Sequence, residues 1–158
     1  MKSVPDFCDE YSDKIQILQI NFKNFGAVDK FCGEIVTVKC PEDNSLLRRL
    51  LGDDGTGKVL VVNGGASSAC AYLGDNLALL ACQNNWAGIL INGMVRDVDE
   101  LAKMQIGIKA LGAHPKKSEK RGLGEFGHDI EFGGVKFQSG AFVYSDNNGV
   151  IVSSSQLL

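Results

Sequence analysis

The sequence has little of what zinc, disulfide, membrane or nucleic-acid chemistry requires. Only two histidines, His114 and His128, are present, and neither joins cysteines at zinc-finger spacing. The five cysteines, Cys8, Cys32, Cys40, Cys70 and Cys82, are odd in number, scattered, and never form a Cys-x-x-Cys pair. That pattern argues against a disulfide framework and for reduced thiols in a cytoplasmic protein. "MKSVPDFCDE" lacks the apolar core of a signal peptide, and nowhere do about 18 consecutive apolar residues suggest a membrane span. A formal net charge of −3 gives no global attraction for a phosphate backbone, so neither nucleic acid nor a membrane is expected as a direct partner. What is there is ordinary globular composition, 44% apolar and 22% charged. At 158 residues, with no internal repeat or low-complexity linker, the chain fits a single domain over 1–158.

The pattern along the chain is α/β. "SVPDFCDEYSD" predicts a short opening helix, with Ser3 as cap and Pro5 in the first turn, where its missing N–H costs little. "FCGEIVTVKC" reads as a strand. "EDNSLLRRLLG" places Leu46, Leu47, Leu50 and Leu51 on one helical face, capped by Asp43 or Asn44 and ended by Gly52. "KVLVVNGG" is a buried strand running into a tight turn. A turn at Gly74 and Asp75 then opens a helix with Leu77, Leu80 and Ala81 on its apolar face, followed by the strand "GILING" and the short acidic helix "DVDELAKM". Strand, helix, strand, helix is the pattern of right-handed parallel crossovers. Beyond Gly107 the texture changes to short strands between Gly and Asn turns, a β meander in which "DNNG" at 146–149 signals a hairpin.

Two glycine motifs mislead. "GDDGTGK" at 52–58 matches most of a phosphate-cradling loop, but Val59 stands where a magnesium-binding hydroxyl is needed. Its glycines also follow a helix and precede a strand, the reverse of the order that cradling requires. "GLGEFG" at 122–127 spells G-x-G-x-x-G, yet it follows the charged run "KKSEKR" and precedes the strand-like "HDIEF". Both read as plain loops. "KKSEKR" itself could meet phosphates or an acidic partner, and otherwise is a solvated loop.

The chemistry concentrates where strands end. Ligands of an α/β sheet collect beyond the carboxyl ends of its strands, and three such ends stand out: "VNGGASS", "LGDN" and "NGMVRD". Gly64, Gly65, Gly74 and Gly93 let backbone approach a small anion closely, and amides around Asn76 and Leu77 favour a carboxylate. Arg96 is a permanent positive fork suited to a carboxylate or a developing enolate. Asp75 and Asp97 are hard oxygen ligands suited to a magnesium ion that keeps several waters. Together they suit metal-assisted aldol cleavage or β-keto acid decarboxylation. Structural roles compete with this reading: Asp75 and Asp97 could each cap a helix, and Arg96 could pair with one of them or with Glu100.

"GDNLALLACQNNWAGILINGMVRDVDEL" resembles the signature of the family that contains the regulator of ribonuclease E activity A and the divalent-metal-dependent 4-hydroxy-4-methyl-2-oxoglutarate aldolases. The similarity runs from "CDEYSDKIQILQINFKNFG" through "TVKCPEDNSLLRRLL" and "KVLVVNGG" to "FVYSDNNGVIVS". The resemblance implies a swivelling β/β/α sandwich and a homotrimer with active sites between subunits. It implies that Asp97 holds a divalent ion, Mg2+ or Mn2+, and that Asp75 reaches it through water and handles protons. It gives Arg96 the pyruvate enolate, and it gives the amides near Asn76 and Leu77, with Gly64, Gly65 and Gly74, the substrate carboxylate. The activity implied is cleavage of 4-hydroxy-4-methyl-2-oxoglutarate to pyruvate, with secondary oxaloacetate decarboxylation. Larger family aldolases bring a further acid from a neighbouring subunit on a longer C-terminal region. This chain reads "SSSQLL" at its end, so its metal site is expected to be weaker or to be completed by waters. The regulators share the short length and imply the alternative, a non-catalytic inhibitor that binds a ribonuclease. Their prototype lacks an acid at the position of Asp97, and this chain has one.

Overall fold

The computed structural model describes residues 1–157; Leu158, the last residue of "SSSQLL", lies outside them. Helix α1 (Val4–Glu10) is followed by β1 (Ile15–Ile17), β2 (Lys23–Asn24), β3 (Phe31–Lys39), α2 (Ser45–Leu51), β4 (Lys58–Asn63) and β5 (Ala71–Leu73). Then come α3 (Asp75–Gln83), β6 (Gly88–Val95), α4 (Val98–Leu101), β7 (Gly107–Ala113) and β8 (Glu125–Phe126). The tail holds β9 (Ile130–Phe132), β10 (Val135–Phe137), β11 (Phe142–Asp146) and β12 (Gly149–Ser153).

The large sheet runs β1-β12-β11-β3-β4-β6-β7-β2, with β5 added beside β6 and β8 beside β3. Strands β3, β4, β6 and β7 are mutually parallel, so their carboxyl ends lie along one edge. Those strands are buried on both faces. One set of side chains (Val38, Leu60, Val62, Ile89, Ile91, Ile108) packs against the helix residues Leu47, Leu51, Ala78 and Ala81. The opposite set (Ile35, Val59, Val61, Leu90) packs under Ile130, Phe132, Val135 and Phe137 of the separate β9–β10 sheet. Two-sided burial explains why "KVLVV" and "GILI" are continuous apolar runs instead of alternating ones. Small sheet, large sheet and helices make the β/β/α sandwich that the sequence led us to expect.

Local signals account for most boundaries. Ser3 caps α1 by accepting from the Asp6 N–H at 3.2 Å, with Pro5 in the first turn. Asn44 holds the cap position of α2, but Asp43 does the bonding: its Oδ1 accepts from the Ser45 N–H at 2.9 Å. The β11–β12 hairpin turns at Asp146–Gly149 as its "DNNG" requires. "GDDGTGK" closes on itself between α2 and β4, with Asp54 Oδ1 accepting from the N–H and hydroxyl of Thr56. "GLGEFG" contains the edge strand β8, and no helix follows it among the described residues to hold a phosphate. "IGIKALG" forms β7 in the parallel core and not in the tail's antiparallel set, because β6 offers it a free edge. Among the described residues no helix is long and apolar enough to cross a membrane.

Candidate active site

The charges that follow "LING" lie where β5 and β6 end together. The Arg96 N–H donates to the Leu73 carbonyl at 2.8 Å, which zips the two strand ends and brings Gly74–Asp75 beside Arg96–Asp97. A register shift between Ile91 and Met94 re-aims the end of β6 just before this point. Asp97 then adopts φ 56°, ψ 41°, the left-handed region that aspartate tolerates better than most residues at a cost of about 1–2 kcal/mol. The turn sends its carboxylate back toward α3. Oδ2 accepts from the Asp75 N–H at 3.0 Å, at the positive end of that helix. Gly74 makes room: a Cβ there would stand 2.5 Å from Asp97 Oδ2.

The competing structural roles can now be weighed. Asp97 occupies the cap position of α4, but its side chain makes no cap hydrogen bond; its backbone carbonyl accepts from Glu100 and Leu101 instead. The cap position of α3 belongs to Gly74, and Asp75 is the first helical residue. Arg96 has no ion pair among the described residues, and Glu100 pairs with Lys103 at 3.6 Å. A half-buried guanidinium and two carboxylates thus meet without neutralising one another through direct pairs.

They share a cavity of about 640 Å³, lined also by Gly74, Asn76 and Leu77. The first intrahelical bond of α3 runs from the Ala78 N–H to the Gly74 carbonyl, so the amides of Asn76 and Leu77 point out of the helix start, where an anion would be met. No cluster of three His, Cys, Asp or Glu side chains that could hold a metal occurs among the described residues. Asp75 and Asp97 are the two carboxylates that line the cavity beside Arg96, a set that a hydrated magnesium ion could take.

Gly64 and Gly65 lie apart from this cavity within the single chain. They border a separate cavity of about 350 Å³ with Asn63, Ser67 and Arg121. Tyr72 stands between the two spaces: it lines the larger cavity, its ring lies 2.5 Å from where a Gly64 Cβ would be, and its hydroxyl donates to the carbonyls of Cys40 and Gly64. Two of the three strand ends converge within one chain, and the "VNGG" end does not. Burial pushes the Tyr72 hydroxyl up to about 12, so it is a neutral wall and not a base at neutral pH. All five thiols are pushed above their ordinary value, burial first among the causes, which removes the thiolate character a nucleophile needs.

The sequence pattern does not place a second group of lining residues here. Lys116, Lys117, Ser118, Glu119 and Lys120 line the same cavity, with Asn44 at the cap of α2 and Arg48 within it. The run "KKSEKR" is tied to β5 through the bond from the Ala71 N–H to the Lys116 carbonyl, while its charged side chains stay exposed as a solvated loop's would. The only signal was its density of lysine, which solvated loops share.

A family model described as RraA-like, Aldolase/RraA, matches residues 4–152. The chain belongs to the RraA-like family. Relatives agree across nearly the whole length. A protein of Pseudomonas fluorescens (strain Pf0-1) named "Putative 4-hydroxy-4-methyl-2-oxoglutarate aldolase" is 52% identical, covering 97% of this chain and 94% of its own. One of Pseudomonas putida (strain W619) with the same name is 53% identical over the same shares. Among solved structures, the Thermus thermophilis RNA-processing inhibitor RraA superposes with a TM-score of 0.96 at 38% identity, over 100% of this chain and 96% of that one. A Geobacillus kaustophilus protein described as S-adenosylmethionine: 2-dimethylmenaquinone methyltransferase gives 0.97 at 42%, over 99% and 97%. This RraA-like chain therefore has relatives named for an enzyme and others named for inhibition of RNA processing.

Proposed function

We propose that this protein is a divalent-metal-dependent lyase that cleaves 4-hydroxy-4-methyl-2-oxoglutarate to pyruvate and also decarboxylates oxaloacetate. The observation that carries the reading is the convergence of Arg96, Asp97 and Asp75 on one cavity, unpaired with each other, at the start of a helix whose amides are free. A structural arginine in an acid-rich corner would be expected to pair; an arginine kept for a substrate oxygen would not.

In this reading Asp97 would hold the ion, with Asp75 beside it. When bound, the ion supplies Lewis-acid polarisation of the 2-oxo acid. The amides of Asn76 and Leu77 hold the substrate's 1-carboxylate, which fixes the molecule before reaction. The C3–C4 bond then breaks, its electron pair passing into the pyruvate enolate that the Arg96 guanidinium stabilises. The C4 hydroxyl becomes a ketone; its proton leaves through a water ordered by Asp75 and returns to C3 of the enolate, giving two pyruvates. Oxaloacetate loses CO2 by the same bond cleavage and yields the same enolate. Pyruvate release in the presence of Mg2+ or Mn2+ tests this: Asp97→Ala and Arg96→Ala should each lower kcat/KM by about 10²–10³-fold. Parent-like rates in both variants sink the assignment.

Similarity to the Thermus inhibitor supports a second reading, a non-catalytic regulator that masks a ribonuclease. That reading predicts a complex and slower RNA cleavage that persist in chelator, whereas the lyase stops. The reading also extends to a homotrimer, which the family resemblance implies. Light scattering should then give about three times the 17.0 kDa chain mass.

A further inference from the structure

Strand β5, which carries the chain into Gly74–Asp75, is weakly fixed by its own ladder. It is three residues long, and its pairing with β6 shifts register between Ala71 and Leu73. A strand this short beside an irregularity gains little from main-chain bonds alone. Yet the Leu73 carbonyl must meet the Arg96 N–H, and the Asp75 N–H must meet Asp97 Oδ2, for the two strand ends to close on one another.

Tyr72, fully buried just before those contacts, supplies what the ladder lacks. Its ring packs against two neighbouring strands: a Cβ on Gly64, just past β4, would stand 2.5 Å from it, and a Cβ on Gly93 of β6 would stand 2.8 Å from it. Its hydroxyl accepts from the Glu42 N–H at 2.7 Å and lies 3.1 Å from the Gly64 carbonyl and 3.2 Å from the Cys40 carbonyl, which share its single hydrogen. Its own carbonyl accepts from Asn44 Nδ2 at 3.1 Å. One residue is thus bonded or packed to the ends of β3 and β4, to β6 and to the cap of α2. Glu42 has φ 56°, a left-handed conformation that a residue other than glycine keeps only where its surroundings impose it. Those surroundings are the Tyr72 hydroxyl and the Ser67 hydroxyl, which donates to Glu42 Oε1 at 2.8 Å. Filling space in the core needs a ring, and phenylalanine has one. A hydroxyl set among three main-chain groups is a fixed point.

We propose that Tyr72 is a positioning residue for the reaction at Arg96 and Asp97: it pins β5 to its neighbours and so holds the Gly74–Asp75 turn, with the first amides of α3, at a fixed distance from the end of β6. The inference rests on the reading of this corner as a lyase site. Tyr72 acts through the backbone it holds. The substrate carboxylate goes with the start of α3 and the enolate oxygen with Arg96 on the β6 side, so loosening the lock spoils their relative placement while each keeps its partner. Loss of the lock therefore lowers kcat more than it raises KM.

Two variants of the full chain test this. Tyr72→Phe keeps the ring and removes the hydroxyl; Gly93→Ala drives a Cβ against the ring from a residue that does not line the cavity. Residue-resolved amide exchange by NMR reads the geometry without any reaction. In both variants the Arg96 and Asp75 amides should exchange about tenfold faster than in the parent, while central-strand amides such as Leu60 and Ile89 stay within about twofold. Per folded molecule, kcat for pyruvate release in Mg2+ should fall about tenfold with KM changed less than about threefold. Unchanged exchange at Arg96 and Asp75, or acceleration at every amide alike, overturns the lock, because Tyr72 would then be dispensable or a core residue only. Selective acceleration with parent-like kcat overturns its part in the reaction. Selective acceleration in a protein whose parent releases no pyruvate sinks the lyase reading and keeps the lock. Pyruvate release with unchanged exchange does the reverse.

Discussion

Replacing Gly74 by alanine separates a catalytic role for Asp97 from a structural one. Gly74 lies at φ −130°, ψ −165°, an extended backbone that alanine adopts without strain, so the effect is steric alone. The new Cβ would sit 2.5 Å from Asp97 Oδ2 and 3.4 Å from Arg96 Cγ and Nε. Ordinary contact needs about 3.5 Å, so the carboxylate must retreat by about 1 Å. That breaks its 3.0 Å hydrogen bond from the Asp75 N–H. Asp97 is exposed and water replaces the lost partner, so the stability cost is only about 1 kcal/mol, or about 2–4 °C in Tm. The same 1 Å at a reacting centre costs about 10²-fold in rate. Thermal unfolding followed by the single, buried Trp86, beside kcat/KM for pyruvate release, gives both numbers from one preparation. A variant with lowered Tm but activity within about twofold of the parent would refute the reasoning, because the position of the Asp97 carboxylate would then matter only to α3.

Other outcomes follow from the same geometry. Arg96→Lys keeps the charge but loses the planar fork, and kcat should fall at least about tenfold with little change in Tm; parent-like kcat would show that point charge suffices. Asp43→Ala orphans the backbone amides of Arg121 and Leu123 and the Ser45 pair, a cost of about 3–5 kcal/mol, read in urea unfolding. Asp43 and Asp146 both have lowered folded pKa values, burial opposing and hydrogen bonds prevailing. Their contribution is therefore full above the ordinary carboxylate value of about 4 and is lost as pH falls below it. Asp43→Asn should flatten that acid limb of the stability curve, and an unchanged limb would remove Asp43 from the acid response.

Local rules made the central half legible. The Ser3 cap, the "DNNG" turn and the two apolar runs each carry their own physical signal within a few residues. Arg96, Asp97 and Asp75 stand out by their place beyond the strand ends, but spacing alone leaves their capping and pairing roles open. What escaped the reading depends on contacts far apart in sequence. The clamp of Asp43 on Arg121 spans 78 residues, so "KKSEKR" looked like any solvated loop. The strand "IGIKALG" has no pattern that names its partner, and it joined β6. Gly64 looked equivalent to Gly74 as a flexible strand end, but the ring of Tyr72 stands under it. Nor does any pattern announce the left-handed turn at Asp97, which follows from the β5–β6 zipper at Leu73 and Arg96.

The most direct test of the central claim is a crystal structure of the protein soaked with Mn2+ and oxalate, a stable mimic of the pyruvate enolate. The account predicts an anomalous manganese peak at the Asp97 carboxylate, with oxalate between it and the Arg96 guanidinium and one end against the amides of Asn76 and Leu77. Manganese bound elsewhere, or a site that stays empty at saturating concentrations of both, would contradict it.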